Sequence, residues 1–273
     1  MTPRRVQISG LKGGVGKSTL TLNLATVATR AAQRVLVVEL DPQGNATTLV
    51  TGLYPDQVQR TIADVLVGFS EGQDPAELVA GTVLSAQDPA IDIAEFNRSA
   101  WGNLDVLPAN QDVAGLALGP AHYRDLAKIM DAAGDGYDLI LYDTAPGISS
   151  LTTLGAYAAD SIISVTTPTA NAVGGVRQLI NGMITPVQQH HDVQLIGVVV
   201  NRVANRAEHR RHHDALQAEL PHLLCRAWLP DRTVVEQAEG YGLPLHAMPG
   251  PSAVTLTDLY DKIFRYLITE ATP

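Results

Sequence analysis

Eight residues near the amino terminus, Lys12-Gly13-Gly14-Val15-Gly16-Lys17-Ser18-Thr19, combine glycines with lysines and hydroxyl groups. Glycines let the backbone wrap closely around an anion and turn its N–H groups toward it. We expect Lys17 to reach the β- and γ-phosphates of a nucleotide and the Ser18 hydroxyl to bind Mg²⁺. An ordinary glycine-rich turn is the alternative. The segment lies between a predicted strand and a predicted helix, however, which is the context that a phosphate loop requires.

A second candidate is Asp143, which directly follows the apolar strand pattern Leu139–Tyr142. A carboxylate at the end of a strand beside a phosphate loop is well placed to hold Mg²⁺, usually through water. The alternative is an aspartate that only starts the following turn. The pattern favours a metal-binding carboxylate.

These candidates require a scaffold that brings strand ends together. β-branched runs alternate with amphipathic stretches along the chain, which predicts a doubly wound, mostly parallel α/β sheet with helices on both faces. Segment 53–118 is less regular, with helices predicted at 60–67 and 75–80 and strands around 82–84 and 104–107, so we expect an excursion at the sheet edge. The other predicted strands are Val6–Ser9, Val35–Glu39, Tyr137–Tyr142, Ser161–Thr166 and Gln194–Val200, and the other predicted helices are Ser18–Ala32 and the stretches near 120–133, 151–159, 171–190, 206–219 and 252–269.

Composition narrows the function classes further. The chain has 273 residues, of which 45% are hydrophobic and 17% charged, so it can form a sizeable core and is not a disordered protein. The chain contains no run of about 18 apolar residues, so no membrane-spanning helix is predicted. A single cysteine, Cys225, excludes an intramolecular disulfide, a four-cysteine zinc site and an iron–sulfur cluster ligated by one chain, and it favours a reducing cytoplasm. A net charge of −9 argues against a generally basic nucleic-acid binder, so DNA contacts would need a local patch. We predict one domain over residues 1–273.

The phosphate loop departs from the strict pattern G-x4-G-K-[ST], because Leu11 stands where a glycine is required and Lys12 adds a second lysine. KGGVGKS resembles the deviant phosphate loop of the ParA/MinD group of P-loop ATPases. Three later segments resemble the same group: Glu39–Asn45 is similar to switch I (DxDPQGN), Leu139–Gly147 to the Walker B and switch II segment, and Leu229–Leu245 to the segment that lines the adenine pocket. The resemblance spans residue 5 to about 265 and implies a P-loop NTPase of the SIMIBI type.

The resemblance implies roles for individual residues. Lys12 would reach across a dimer interface to the partner's nucleotide, and Asp41 would position the attacking water and stand near the metal. Glu39 occupies a position that is usually aspartate, which leaves its role open. The resemblance implies ATP and Mg²⁺ as the cofactors. The catalytic residues would be Lys12, Lys17 and Asp41, and the metal site would consist of Ser18, Asp41 and Asp143. The nucleotide-binding residues would be Lys12 to Thr19 together with Asn201, Arg202, Pro230 and Asp231.

A ParA-like protein would form an ATP-dependent homodimer, bind DNA without sequence specificity and respond to a ParB-like adaptor, on the nucleoid in the cytoplasm. We expect no N-terminal helix-turn-helix domain. Contacts with DNA phosphates need positive charge and do not read base edges, so exposed arginines could provide them. The alternative is that the candidate arginines only form a solvated helix face. A MinD-like membrane ATPase, using the apolar stripe near 259–268, and a positioner of another cargo are the alternative functions. The candidate DNA-binding residues are Arg202, Arg206, Arg210, Arg211 and Arg232.

Overall fold

A seven-stranded sheet forms the centre of the computed structural model, which describes residues 2–88, 91 and 95–269. The predicted domain span of 1–273 therefore includes residues outside the described ranges. The strands are β1 (Arg4–Ser9), β2 (Val35–Leu40), β3 (Leu84–Ser85), β4 (Leu104–Leu107), β5 (Leu139–Thr144), β6 (Ser161–Thr166) and β7 (Gln194–Val200). Their order in the sheet is β3-β4-β2-β5-β1-β6-β7, and only the edge pair β3–β4 is antiparallel. The predicted fold class, a doubly wound and mostly parallel α/β sheet, is confirmed.

Helices cover both faces of this sheet. The helix that follows each inner strand returns the chain to the starting edge, so the carboxyl ends of the parallel strands meet on one side. The helices are α1 (Lys17–Arg30), α2 (Asn45–Thr51), α3 (Ile62–Ser70), α4 (Pro75–Ala80), α5 (Glu95–Trp101), α6 (Asp125–Ala133), α7 (Ser150–Ala158), α8 (Ala172–Leu179), α9 (Thr185–Gln188), α10 (Ala207–Glu219), α11 (Thr233–Tyr241) and α12 (Pro251–Phe264).

The core lies in two layers because side chains alternate across each strand. In β2, Val35 and Val37 pack with α1 and α12, whereas Leu36 and Val38 pack with α3, α6 and α7. Every residue of β2 and β5 is buried, which explains why both strands consist of nearly continuous apolar runs. The sheet is thus a rigid base for the loops at its carboxyl edge.

Most predicted elements are present, and the differences have local causes. Strands β6 and β7 have the predicted bounds, and the segment from 53 to 118 does form the edge of the sheet. The predicted helix 171–190 is α8 and α9 joined by a π-helical turn at Ile180–Ile184. Helices α2, α5 and α11 were not predicted. The sequence of α2, NATTLVT, contains three threonines and has low helix propensity, so tertiary contacts must hold it.

Candidate nucleotide-binding site

The glycine-rich loop joins the end of β1 to the start of α1 at the carboxyl edge of the sheet. Gly14 and Gly16 have φ angles of 70° and 88°, a conformation that L side chains rarely adopt. A Cβ on Gly16 would lie 2.2 Å from Nδ2 of Asn201, so the close approach of this side chain, directly after β7, also favours glycine there. Because α1 begins directly after Gly16, its N-terminal N–H groups face the same space.

Lys17 and Asp143 form the charged floor of this space. Lys17 is only 6% exposed, and burial lowers the pKa of its ammonium group, while the charges of Asp143 and Asp41 act to raise it. Burial raises the pKa of Asp143 to about 6, and the Ser18 hydroxyl and the Lys17 charge oppose that rise. Thr21 donates to Oδ1 of Asp143 at 3.2 Å. The arrangement places a buried acid and a buried base at the foot of the phosphate loop.

The residues at this floor fit a magnesium ion. Oδ2 of Asp143 is buried and has no partner with hydrogen-bond geometry among the described residues, so it is free to accept from a metal-bound water. The neighbouring Ser18 is half-buried on the first turn of α1. Within the ranges that the structure covers, no three His, Cys, Asp or Glu side chains cluster as a metal site. One hydroxyl and one carboxylate, completed by phosphate and water, are a donor set that Mg²⁺ accepts.

Above the floor lies an open cleft of about 550 Å³. The phosphate loop, α1 and the segment after β2 line it, and Asp41 is one of the lining residues. Asp41 is 7% exposed, and its Oδ1 accepts a hydrogen bond from the Gln43 N–H at 3.0 Å. Its carboxylate therefore caps the turn at Pro42 and also faces the cleft. The assignment of Asp41 to hydrolysis and to the metal site stays a prediction.

Glu39 is fully buried and holds the amino end of α2. Its carboxylate accepts from the N–H groups of Ala46 at 2.8 Å and Thr47 at 3.0 Å, and also from the Thr47 hydroxyl. Burial raises the pKa of Glu39 to about 8, the charge of Asp143 adds to the rise, and the hydrogen bonds from Thr47 and Ala46 oppose it. The N-cap residue of α2 is Gly44, which has no side chain to cap the helix. That missing cap was the sequence signal for this role of Glu39.

The predicted base pocket is a narrow cavity of about 30 Å³ next to the cleft. Asn201, Pro230 and Asp231 all line it. Nδ2 of Asn201 donates to the Val15 carbonyl at 2.8 Å, and its Oδ1 accepts from the Arg202 N–H at 2.8 Å. The amide thus braces the phosphate loop and retains one donor and one acceptor site. Its contact with adenine stays a prediction.

Glu239 lies in the segment Leu229–Leu245 that sequence reasoning placed at the adenine pocket, but no role was predicted for it. Its Oε1 accepts a hydrogen bond from the Thr19 hydroxyl at 2.6 Å, which links α11 to the first turn of α1. Glu239 lines both the cleft and the narrow cavity. The signal was weak because α11 itself was not predicted as a helix.

Lys12 is placed differently from Lys17. Its side chain is exposed, and Nζ lies 3.5 Å from Oγ1 of Thr169, at the limit of a hydrogen bond. Lys12 does not line the cleft that contains Lys17 and Ser18. The two lysines of the loop therefore face different surroundings, and the predicted contact of Lys12 with a partner's nucleotide stays a prediction.

The candidate DNA-binding arginines are all exposed, and none forms an ion pair with a described residue. Arg206 is the N-cap residue of α10, and Arg210 donates to Oδ1 of Asn205 at 3.0 Å. Arg202 differs from them because it lines the cleft and the narrow cavity. Arg232 donates to the Asp231 carbonyl at 3.2 Å, whereas Val234, two residues later, is buried. The structure thus exposes Arg202, Arg206, Arg210, Arg211 and Arg232.

Comparison with known proteins adds to this geometry. The AAA_31 family model, described as an AAA domain, matches residues 4–196. The sporulation initiation inhibitor protein Soj of Bacillus subtilis is 30% identical over 207 residues, which cover 74% of this chain and 73% of that protein. The chain belongs to the ParA family. It is a P-loop ATPase.

Two further similarities extend over nearly the whole chain. The chromosome-partitioning ATPase Soj of Thermus thermophilus is 27% identical over 272 residues and covers 95% of each chain. Cobyrinic acid a,c-diamide synthase of Mycobacterium smegmatis, solved with an ATP analog and magnesium, superposes with a TM-score of 0.76 over 98% of this chain and 96% of that one, at 22% identity. The second similarity establishes the fold alone, because one fold supports different reactions.

Proposed function

We propose that this protein is a ParA-like partition ATPase with a single domain. Two copies would close on ATP as a sandwich dimer, bind DNA without sequence specificity and segregate a plasmid or chromosome. A ParB-like adaptor would stimulate hydrolysis and release the dimer. The observation that carries the proposal is the contrast within the phosphate loop, where Lys17 is buried at the cleft floor while Lys12 is exposed outside it.

Phosphoryl transfer depends mainly on positioning and charge neutralisation. The N–H groups of the loop and of the first turn of α1 would bind the phosphates, with Lys17 on the β- and γ-phosphates. Ser18 and Asp143 would hold Mg²⁺, which adds positive charge where the transferred group becomes most negative. Asp41 faces the same cleft and would orient the attacking water. Each of these residues lies at the carboxyl edge of the sheet.

Dimerisation would complete the charge balance. An exposed lysine on the loop can reach the γ-phosphate of a second copy, as an arginine finger does in trans. The switch II segment is already tied to the loop, because the Gly147 N–H donates to the Gly10 carbonyl at 3.1 Å. Loss of the γ-phosphate would free Lys12 and loosen this segment, so the dimer would separate after hydrolysis.

The exposed arginines of α10 support a DNA surface. Arg206 and Arg210 lie in the first turns of the helix, where the N-terminal end of the helix dipole adds positive potential. DNA phosphates bind such ends without reading the base sequence. Because the whole chain carries a net charge of −9, a local patch is required for binding. Such binding would place the protein on the nucleoid in the cytoplasm.

The test is co-sedimentation with duplex DNA of mixed sequence and, separately, with vesicles of anionic lipid. Each arm contains Mg²⁺ with ATP, with ADP or with no nucleotide. We expect the protein to be retained on DNA only in the arm that contains ATP, and not to be retained on vesicles. Retention on vesicles alone would favour a MinD-like membrane ATPase. In the described part of the chain no helix has the length and apolar character needed to cross a membrane.

A further inference from the structure

Glu239 stands between the two cavities of the nucleotide site. It lines the open cleft with Lys17 and Ser18, and it lines the narrow cavity with Asn201 and Pro230. Its position is fixed by the hydrogen bond of 2.6 Å from the Thr19 hydroxyl. Thr19 directly follows Ser18, so this carboxylate lies beside the first turn of α1.

The charge of Glu239 restricts what it can bind. A carboxylate accepts hydrogen bonds and does not donate them, so it cannot bind a phosphate oxygen directly. On a nucleoside triphosphate the hydrogen-bond donors are the sugar hydroxyls and the exocyclic amine of the base. The amine belongs to the base and would lie deeper, near Asn201 and Pro230. The sugar joins the phosphates to the base and would pass the boundary where Glu239 lies.

We propose that Glu239 recognises the ribose of the bound nucleotide by accepting hydrogen bonds from its vicinal hydroxyls. This inference rests on the proposed ATP site and adds a residue that selects the sugar. Carboxylates serve this purpose in other nucleotide sites, because two oxygens match two neighbouring hydroxyls. The Thr19 hydroxyl occupies one lone pair of Oε1, which leaves the other lone pairs of the carboxylate for the sugar hydroxyls.

Arg202 strengthens this assignment. Among the described residues it is the other charged side chain that lines both cavities, and its backbone has a φ angle of 55°, which is uncommon outside glycine. A guanidinium attracts phosphate, whereas a carboxylate repels it. With one of each lining both cavities, a bound nucleotide would turn its phosphates toward Arg202 and its ribose toward Glu239.

The test measures binding of ATP, 2′-deoxyATP and 3′-deoxyATP to the full chain with Mg²⁺ by isothermal titration calorimetry. A hydrogen bond to a charged group changes affinity by about tenfold when it is lost. We expect the wild type to bind ATP about tenfold more tightly than either deoxy analogue. Glu239→Ala should bind all three nucleotides within about twofold of one another.

Gln237→Ala is the matched control, because Gln237 is an exposed polar residue of the same helix that lines neither cavity. It should keep the preference of the wild type for ATP. Glu239→Gln keeps one acceptor oxygen and the fit to Thr19, so an intermediate preference would show that binding rather than folding is affected.

The outcomes separate this inference from the proposed function. If the wild type binds ATP and both deoxy analogues equally well, the ribose assignment is wrong while the ATPase site stands. The same holds if Glu239→Ala retains the preference, or if Gln237→Ala removes it as well. If the wild type binds no nucleotide in the presence of Mg²⁺, the proposed function itself fails.

Discussion

The phosphate-binding floor and the basic face of α10 show two ways in which one chain positions charge. At the floor, Lys17 and Asp143 are buried. Asp143 lies near the end of the fully buried strand β5, and Lys17 is the first residue of α1. On α10, only Leu216 is buried, and Arg206, Arg210 and Arg211 project from a solvated helix. Buried charges need exact partners, since burial without compensation is costly. Exposed charges act together through their summed field, so no single one is indispensable.

The largest expected effect is at the floor. Lys17→Ala removes the buried ammonium group that we propose binds the phosphates, so ATP affinity should fall by about 100-fold or more. Calorimetric titration of ATP with Mg²⁺ measures the loss. Lys128→Ala, on the exposed face of α6, is the control and should bind ATP like the wild type. Binding of ATP by Lys17→Ala at wild-type affinity would contradict the phosphate-loop assignment.

Asp41→Ala should separate binding from hydrolysis. A residue that orients the attacking water contributes about 100-fold or more to the rate, while ATP itself is held by the loop. We expect ATP affinity to stay within about threefold of the wild type, turnover to fall about 100-fold and the ATP-bound dimer to accumulate. Phosphate release and gel filtration measure the two effects. Wild-type turnover in this variant would remove Asp41 from the mechanism.

Glu39 tests whether burial controls the pKa of a carboxyl group at the floor. Its pKa is about 8 in the folded protein and near 4.5 in the unfolded chain, so the folded state binds more protons between these values. The free energy of unfolding of the nucleotide-free protein should therefore decrease as the pH rises from about 4.5 to about 8. One full proton difference corresponds to a slope of about 1.4 kcal/mol per pH unit.

Glu39→Gln cannot ionise, so the slope should become shallower, most clearly between pH 6.5 and 8, where Asp143 contributes little because its pKa is about 6. Urea denaturation of both proteins at several pH values measures the difference. Parallel pH curves for Glu39→Gln and the wild type would show that Glu39 is ionised to the same extent in the folded and unfolded states.

The smallest effect is expected on α10. Arg206→Glu reverses one charge among several, so affinity for DNA in the presence of ATP should fall about three- to tenfold, and added salt should mimic the loss. ATP affinity should not change. Arg60→Glu is the charge-matched control, because Arg60 is exposed beside Gly81, near the edge strand β3. If Arg60→Glu and Arg206→Glu weaken DNA binding equally, the α10 surface is not the DNA site.

The same contrast explains what the sequence could predict. The positions of the glycine-rich loop and of Asp143 at strand ends could be predicted, because a buried strand, a glycine turn and a helix impose a fixed residue order. The role of Glu39 was left open, because its partners Ala46 and Thr47 lie on α2, a helix with weak intrinsic propensity. The hydrogen bonds to Glu39 themselves stabilise this helix. Glu239 lies in a segment predicted to line the adenine pocket, but its role was not predicted, because its bond to Thr19 joins residues 220 positions apart and no local pattern encodes such a contact.

The most direct test of the account concerns Lys12. Sedimentation velocity of the wild type and of Lys12→Ala, each with Mg²⁺ and a nonhydrolysable ATP analogue, measures assembly while calorimetry measures binding of the analogue. The account predicts that the wild type forms dimers, and that Lys12→Ala binds the analogue but remains monomeric. Dimers of Lys12→Ala that form at the same concentrations as those of the wild type would contradict the proposed contact between the exposed lysine and the partner's nucleotide.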